Sequence, residues 1–194
     1  QDALESNNQD ALLYQNYQKS REKLISFEES SSTIIKIAEM GNVDALVQMG
    51  GYHSLKIGEN PHPNATKALE YYNTAAENGS AVAMYRLGMI YKYGTITDVD
   101  KRWYVSFKNI VRIDEKIAFD WFKKVLEANH QESIYMRADY RDSLYTAIKD
   151  TYYQLSKIYK DGKVVPQDKA KAKELAEYAN FDYILSQKYS YMKD

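Results

Sequence analysis

The chain has 194 residues, with 26 Lys and Arg against 27 Asp and Glu, no Cys, 8 Gly and 3 Pro. Its length suits one domain or one short repeat array, and the lack of Cys removes disulfide frameworks, thiolate zinc sites and thiol nucleophiles. A formal charge of −1 lacks the basic excess of a nucleic-acid binder, and so few Gly and Pro argue against a turn-rich sandwich or barrel.

The chain begins at Gln1, without an initiator Met, which fits a processed or truncated product. Residues 1–10 are polar and amide-rich, and read either as a tether or as the place where the chain was cut. From Asp10 to Glu29, Leu13, Tyr17, Leu24 and Phe27 fall near helical spacing, which predicts one amphipathic helix. Ser30, Ser31 and Ser32 then interrupt it and can cap a helix through Ile34, Ile35 and Ile37 that stops at Gly41. Gly79, Asn129 and Gly162 end later helical runs in the same way. Leu144, Ile148, Thr151, Leu155 and Ile158 form a late, largely apolar stripe. The longest apolar run, Ala81–Tyr85, is far short of the roughly 18 residues that a membrane span needs.

An internal repeat is the main signal. Gly41, Ala45, Met49 and Gly50 line up with Gly79, Ala83, Leu87 and Gly88, each offset by 38 residues. Leu155, Ser156, Ile158, Tyr159 and Gly162 share the spacing of Leu87, Gly88, Ile90, Tyr91 and Gly94. A second helix completes each unit: Ala68, Tyr71, Tyr72 and Ala75 match Ala118, Trp121, Phe122 and Val125, and again Ala172, Leu175, Ala176 and Ala179. Steps of 3, 4 and 7 put each set on one helix face. Ile37 to Gly41 has the shape of Ala75 to Gly79 and looks like the tail of a degenerate earlier copy.

With these residues in place, the chain resembles the Sel-one-like repeat family, relatives of the tetratricopeptide repeats. That family's unit has small residues four apart, Leu-Gly, Tyr, Gly and a loop, then Lys-Ala, an aromatic pair and Ala-Ala. The second unit carries Gly79, Ala83, Leu87, Gly88, Tyr91 and Gly94, with Ala118, Trp121 and Phe122 beyond the loop. The first carries Lys67, Ala68, Tyr71, Tyr72, Ala75 and Ala76; the third, Tyr159, Gly162, Val164, Asp168, Lys171 and Ala172. The resemblance covers about residues 33–180. It implies an all-α fold, a right-handed α-solenoid of helix-turn-helix repeats, with a binding role toward proteins. Members resemble adaptors, virulence factors and proteins that protect bacteria from toxins. The Cys-rich members linked to β-lactam binding are a poor match to a chain without Cys.

The units are irregular. Gly50 to Ala68 spans 18 residues and Ser156 to Ala172 spans 16, but Gly88 to Ala118 spans 30, so the second unit carries an insertion at about 95–115. His53 stands where the others have Tyr91 and Tyr159, and Ser156 where they have Gly50 and Gly88. The expected organisation is a polar tether and N-terminal helix over 1–32, the repeats over 33–180 and a C-terminal helix or tail over 181–194.

The inventory contains no catalytic motif: no HExxH, GxSxG, phosphate loop or dinucleotide fingerprint. No enzyme activity, cofactor or metal is expected. His53, His62 and His130 lack the helical pairing of a zinc site. Asp98 and Asp100 begin like a calcium loop, but Trp103 and Asn109 stand where Gly and Glu are needed. Glu115, Asp120 and the Lys169–Lys173 stretch read as solvated helix faces.

Candidate partner-binding residues are Tyr85, Arg102, Trp103, Tyr104, Phe107 and Tyr140, because Trp, Tyr and Arg dominate interface hot spots and solenoids bind on extended concave surfaces. Val105, Phe107, Val111 and Ile113 alternate, and Lys108-Asn109 could turn a short hairpin. The insertion either protrudes as a binding element or packs on its own repeat. The expected partner is a protein, in the narrower reading a secreted toxin blocked by an immunity-type protein; nucleic acid and a membrane span are not expected. A periplasmic location or a lipid anchor upstream of Gln1 suits that reading. A cytoplasmic adaptor is the alternative, and an enzyme the least favoured.

Overall fold

The computed structural model describes residues 2–55, 63–96, 104–128 and 138–180, the side chains of 2–7, 27 and 138–142 excepted. The described residues form eight helices: α1 (Asp2–Arg21), α2 (Phe27–Glu39), α3 (Val43–Ser54), α4 (Ala65–Glu77), α5 (Ala81–Tyr93), α6 (Glu115–Glu127), α7 (Ala138–Asp161) and α8 (Lys169–Asn180). The closest packing is within α3–α4, α5–α6 and α7–α8, and neighbouring pairs stack through α4–α5, α5–α7 and α6–α7. This is a helical solenoid of three two-helix units, with α1–α2 closing its N-terminal end.

The start departs from expectation. The segment read as a tether is helical from Asp2, and the single helix expected over 10–29 is two. Lys23 takes a left-handed φ of 58°, which breaks the chain after α1, and leaves Leu24 exposed in the link. Ser26 starts α2: its hydroxyl accepts from Glu29 N–H, and the Glu29 carboxylate accepts from Ser26 N–H. This capping box needs a hydroxyl residue followed three positions later by Glu, so Ser26 and not the Ser30–Ser32 run carries it. Ser30 instead lies inside α2, where its hydroxyl and carbonyl oxygens accept from Asn16 Nδ2 of α1 at 3.1 and 3.2 Å.

Beyond α2 the repeat spacing translates into packing. Ala45, Ala68, Ala75, Ala83 and Ala118 have no exposed surface, so paired helices approach closely at each. Gly50 and Gly88 lie under the aromatic rings of the facing helix: a Cβ on them would come within 2.6 Å of Tyr72 and 2.5 Å of Phe122. The third unit solves the same contact differently. Ala176 takes the aromatic position, and Ser156 fits where Gly stood, with its hydroxyl donating to the Ala172 carbonyl at 2.8 Å. The late stripe of Leu144, Ile148, Thr151, Leu155 and Ile158 is buried throughout.

A second device recurs at each loop. The residue that caps the second helix also donates its N–H to a carbonyl near the end of the first: Asn64 to His53, Asp114 to Tyr91 and Asp168 to Tyr159, at 2.9, 2.9 and 3.0 Å. Those carbonyls lie at a helix end and have no intrahelical donor. One residue thus closes one helix and opens the next. Gly41, Gly79 and Gly162 have positive φ after helix ends, as their placement predicts, and so does Gly94; Asn129, the other expected stop, lies outside the described residues.

Candidate protein-interaction surface

The described part of the insertion, residues 104–114, is fastened to two helix ends. Val105 N–H donates to Ser54 O at 2.8 Å, and Leu55 pairs with Tyr104 in an isolated antiparallel bridge. Phe107 N–H donates to Gly94 O at 2.9 Å. Orphan carbonyls of α3 and α5 therefore hold the returning segment. Lys108 and Asn109 do lie in a turn, but it is local, with Ile110 and Val111 N–H both donating to Phe107 O; no hairpin forms among the described residues. Phe107 and Val111 point into the core, whereas Ile110 and Ile113 are 41% and 40% exposed. Alternation thus holds for Phe107 and fails at Ile113, which the turn displaces.

Ile110 and Ile113, with Leu55 and with Ile117 on the first turn of α6, make four large apolar side chains left exposed on or beside the insertion. Half-buried Tyr104 lies among these elements. Leu55 follows α3, Ile110 and Ile113 belong to the insertion and Ile117 to α6, and exposed apolar groups that adjoin one another mark a contact surface. These isoleucines are absent from the expected set because hot-spot reasoning favours aromatics and Arg; only their exposure singles them out.

The other expected residues are placed as follows. Tyr85 is 4% exposed and takes no part in an open concave face, because α5 is buried around almost its whole circumference. Its hydroxyl donates to Asp150 Oδ2 of α7 at 2.9 Å. Phe107, with no exposed surface, is likewise a core residue. Arg102 and Trp103 lie outside the described residues, as do Asp98, Asp100, His62 and His130. Tyr140 falls within α7, but its side chain is outside the described set. The Tyr85–Asp150 bond belongs to a polar seam between α5 and α7, where the buried Gln154 Oε1 accepts from Lys92 Nζ at 2.8 Å and Tyr93 OH at 3.0 Å.

A groove of about 500 Å³ runs between α6, α7 and α8. Leu126, Leu155 and Leu175 line it with Tyr152, Tyr159 and Tyr178. Tyr152 and Tyr178 pack with ring centroids 5.2 Å apart. Burial, with Tyr178 and Glu174 nearby, pushes the Tyr152 phenol above its ordinary value. Leu126 is nine positions from Ile117, which at 100° per residue puts the two on opposite faces of α6.

Among the described residues no three His, Asp or Glu side chains gather as a metal site. Asp120 pairs with Lys116 at 2.9 Å, Lys171 with Glu174 at 3.4 Å and Lys173 with Glu177 at 3.9 Å, on exposed faces. No helix among the described residues is long and apolar enough to cross a membrane.

A helical solenoid of paired helices, with residues 104–114 of the insertion fastened to it, defines the class of protein. The chain belongs to the Sel1 repeat family, whose profile matches residues 43–80, 81–102, 108–130 and 150–179, more than half of the chain. The break between the second and third matches falls at 103–107, within the insertion. The fold is similar to that of a Sel1 repeat protein from Oxalobacter formigenes: 22% identity, TM-score 0.61, covering 92% of this chain and 60% of that one. A protective antigen of uropathogenic Escherichia coli, c5321, which displays an SLR fold, matches with 20% identity and a TM-score of 0.42 over 79% of this chain and 33% of that one. This chain therefore spans less than two thirds of either structure. None of the curated proteins matches it. Repeats of this family are generally protein-interaction modules.

Proposed function

We propose that this chain is a non-catalytic binding protein of the immunity type, which blocks a cognate bacterial toxin through the insertion side of the solenoid. One observation carries the choice of surface: the insertion is pinned by backbone hydrogen bonds to α3 and α5, yet leaves Ile110 and Ile113 exposed beside Leu55 and Ile117. A preordered apolar element loses little conformational entropy on binding and gains by burying its side chains. Arg102 and Trp103, adjacent in sequence to Tyr104, extend the proposed contact, and Tyr140 remains part of the proposal. Occlusion of a toxin's active site requires only shape and affinity, which suits a chain with no recognised catalytic motif. A periplasmic or lipid-anchored location is part of the same proposal.

The test is a challenge of cells with a toxin encoded beside this gene, together with the affinity of the purified pair. Wild-type chain should bind and protect. The triple variant Ile110→Ser, Ile113→Ser, Ile117→Ser should lose at least tenfold in affinity while its helical content stays unchanged, because each exposed site contributes little to the core. A wild-type chain that neither binds nor protects would refute the immunity reading. Binding without protection would favour an adaptor, a reading supported by the groove of α6–α8 on the far side of Ile117, since an adaptor needs two separate surfaces.

A further inference from the structure

His53 stands where the other two units have Tyr91 and Tyr159, and it sits at the root of the insertion's anchor. Its ring stacks on Tyr71 of α4, with centroids 5.7 Å apart and planes 7° from parallel, and meets Tyr52 of its own helix edge-on at 5.3 Å. Its Nδ1 is buried and has no hydrogen-bond partner among the described residues. Its carbonyl accepts the Asn64 N–H that closes the α3–α4 loop. The next two residues, Ser54 and Leu55, hold Val105 and Tyr104 of the insertion. Ser54 is itself fixed: its hydroxyl donates to Gly50 O at 2.7 Å and lies 3.4 Å from the Tyr72 hydroxyl.

We infer that His53 is an acid-sensitive latch for the insertion: the neutral imidazole lets the last turn of α3 hold Tyr104 and Val105, and its protonation loosens that hold. A neutral ring leaves at most a lone pair or a single uncharged N–H unpaired at the buried Nδ1. The protonated ring places a charged donor there, with no acceptor, which is far more costly. Burial, and secondarily the Lys67 ammonium of α4, accordingly hold the imidazole below its ordinary value of 6.5. Of the other groups around it, Tyr52 and Tyr71 meet it through their rings. Glu39 of α2 and Glu70 of α4 act on Tyr71, whose phenol they help to push up. Tyr104, on the insertion side, acts on Tyr72. The Tyr71 ring face offers the imidazolium some attraction, but burial and the Lys67 ammonium both oppose its charge.

The sign follows from linkage. The opened segment binds the proton more readily than the closed one, so closure is fully favoured above the ordinary histidine value and weakens as pH falls through the lower value of the closed form. The other two units, with Tyr91 and Tyr159 at this position, have no such group.

The measurement is the hydrogen-exchange protection of the Val105 and Phe107 amides between pH 7.5 and 5.5, corrected for intrinsic exchange. Protection at Val105, whose acceptor is Ser54 O, should fall toward acid, and that at Phe107, whose acceptor is Gly94 O, should fall less. His53→Tyr should make Val105 protection independent of pH. Lys67→Met, at an exposed position, should move the midpoint of the fall to higher pH. Unchanged protection in the wild type, the same fall in H53Y, or an unmoved midpoint in K67M would each overturn the latch. The link to binding rests on the insertion being the partner surface. Protection that responds while toxin affinity does not would leave the latch standing and count against that surface.

Discussion

At the residue scale, the contact between a small residue and the ring facing it decides how closely paired helices approach. Gly88 and Phe122 fit only because Gly has no Cβ. Gly88→Ala should destabilise by about 1–3 kcal/mol, the usual cost of forcing an extra group into a packed core. Urea unfolding would measure it, and pairing it with Phe122→Leu should recover part of the loss, which a mere change in helix propensity would not allow. Thr151 is the opposite case. It stands where the other units have Ala45 and Ala83; it has no exposed surface, and its hydroxyl has no partner among the described residues. Thr151→Val keeps the shape and removes the unsatisfied group, so it should stabilise by about 1 kcal/mol, seen as a raised midpoint. Neither outcome would be expected if these positions tolerated any small residue.

At the element scale, Asn64, Asp114 and Asp168 join paired helices in the same way. Asp114 Oδ1 accepts from both Lys116 and Ile117 N–H, at 2.8 and 3.1 Å. Asp114→Ala should cost about 0.5–2 kcal/mol by thermal unfolding, whereas Asp114→Asn, the cap type already used at Asn64, should cost much less. Much of this level is legible in the sequence, because periodicity and small-residue spacing depend on neighbours a few positions away. Gly41, Gly79, Gly94 and Gly162 mark helix ends for the same local reason. The start of the chain was misread because an apolar stripe through Leu13, Tyr17 and Leu24 continues across the break at Lys23, and only the Ser26–Glu29 pair signals a new helix. Tyr85 and Phe107 were misread as surface for a different reason. Whether a side chain faces solvent depends on the helices packed over it, and α4, α6 and α7 all pack on α5. The apolar rim of Ile110, Ile113 and Ile117 is a product of that same tertiary packing.

At the scale of the whole molecule, a solenoid is stabilised by each unit and by the interfaces between neighbours, so weakening one interface should release one end. The α5–α7 seam is such an interface, and it is polar at its centre. Gln154 is 2% exposed, and its Oε1 accepts from both Lys92 and Tyr93 across the seam. Removing the amide takes away a buried acceptor shared by a cation and a phenol, in a setting where hydrogen bonds to charged groups contribute about 1.5–3 kcal/mol. Gln154→Ala should therefore weaken the hold on α7–α8 by about that amount and leave α3–α4 untouched. Native-state hydrogen exchange is the direct readout: amides of α7 and α8 should lose more protection than those of α3 and α4, and unfolding should become less cooperative. A uniform loss of protection along the chain would mean that the units fold as one block and that the seam does not act as a separable joint. Lys92→Met gives the matching half of the pair, because it deletes the cation and leaves Tyr93 to donate to Gln154. Its effect should be smaller and confined to the same two helices.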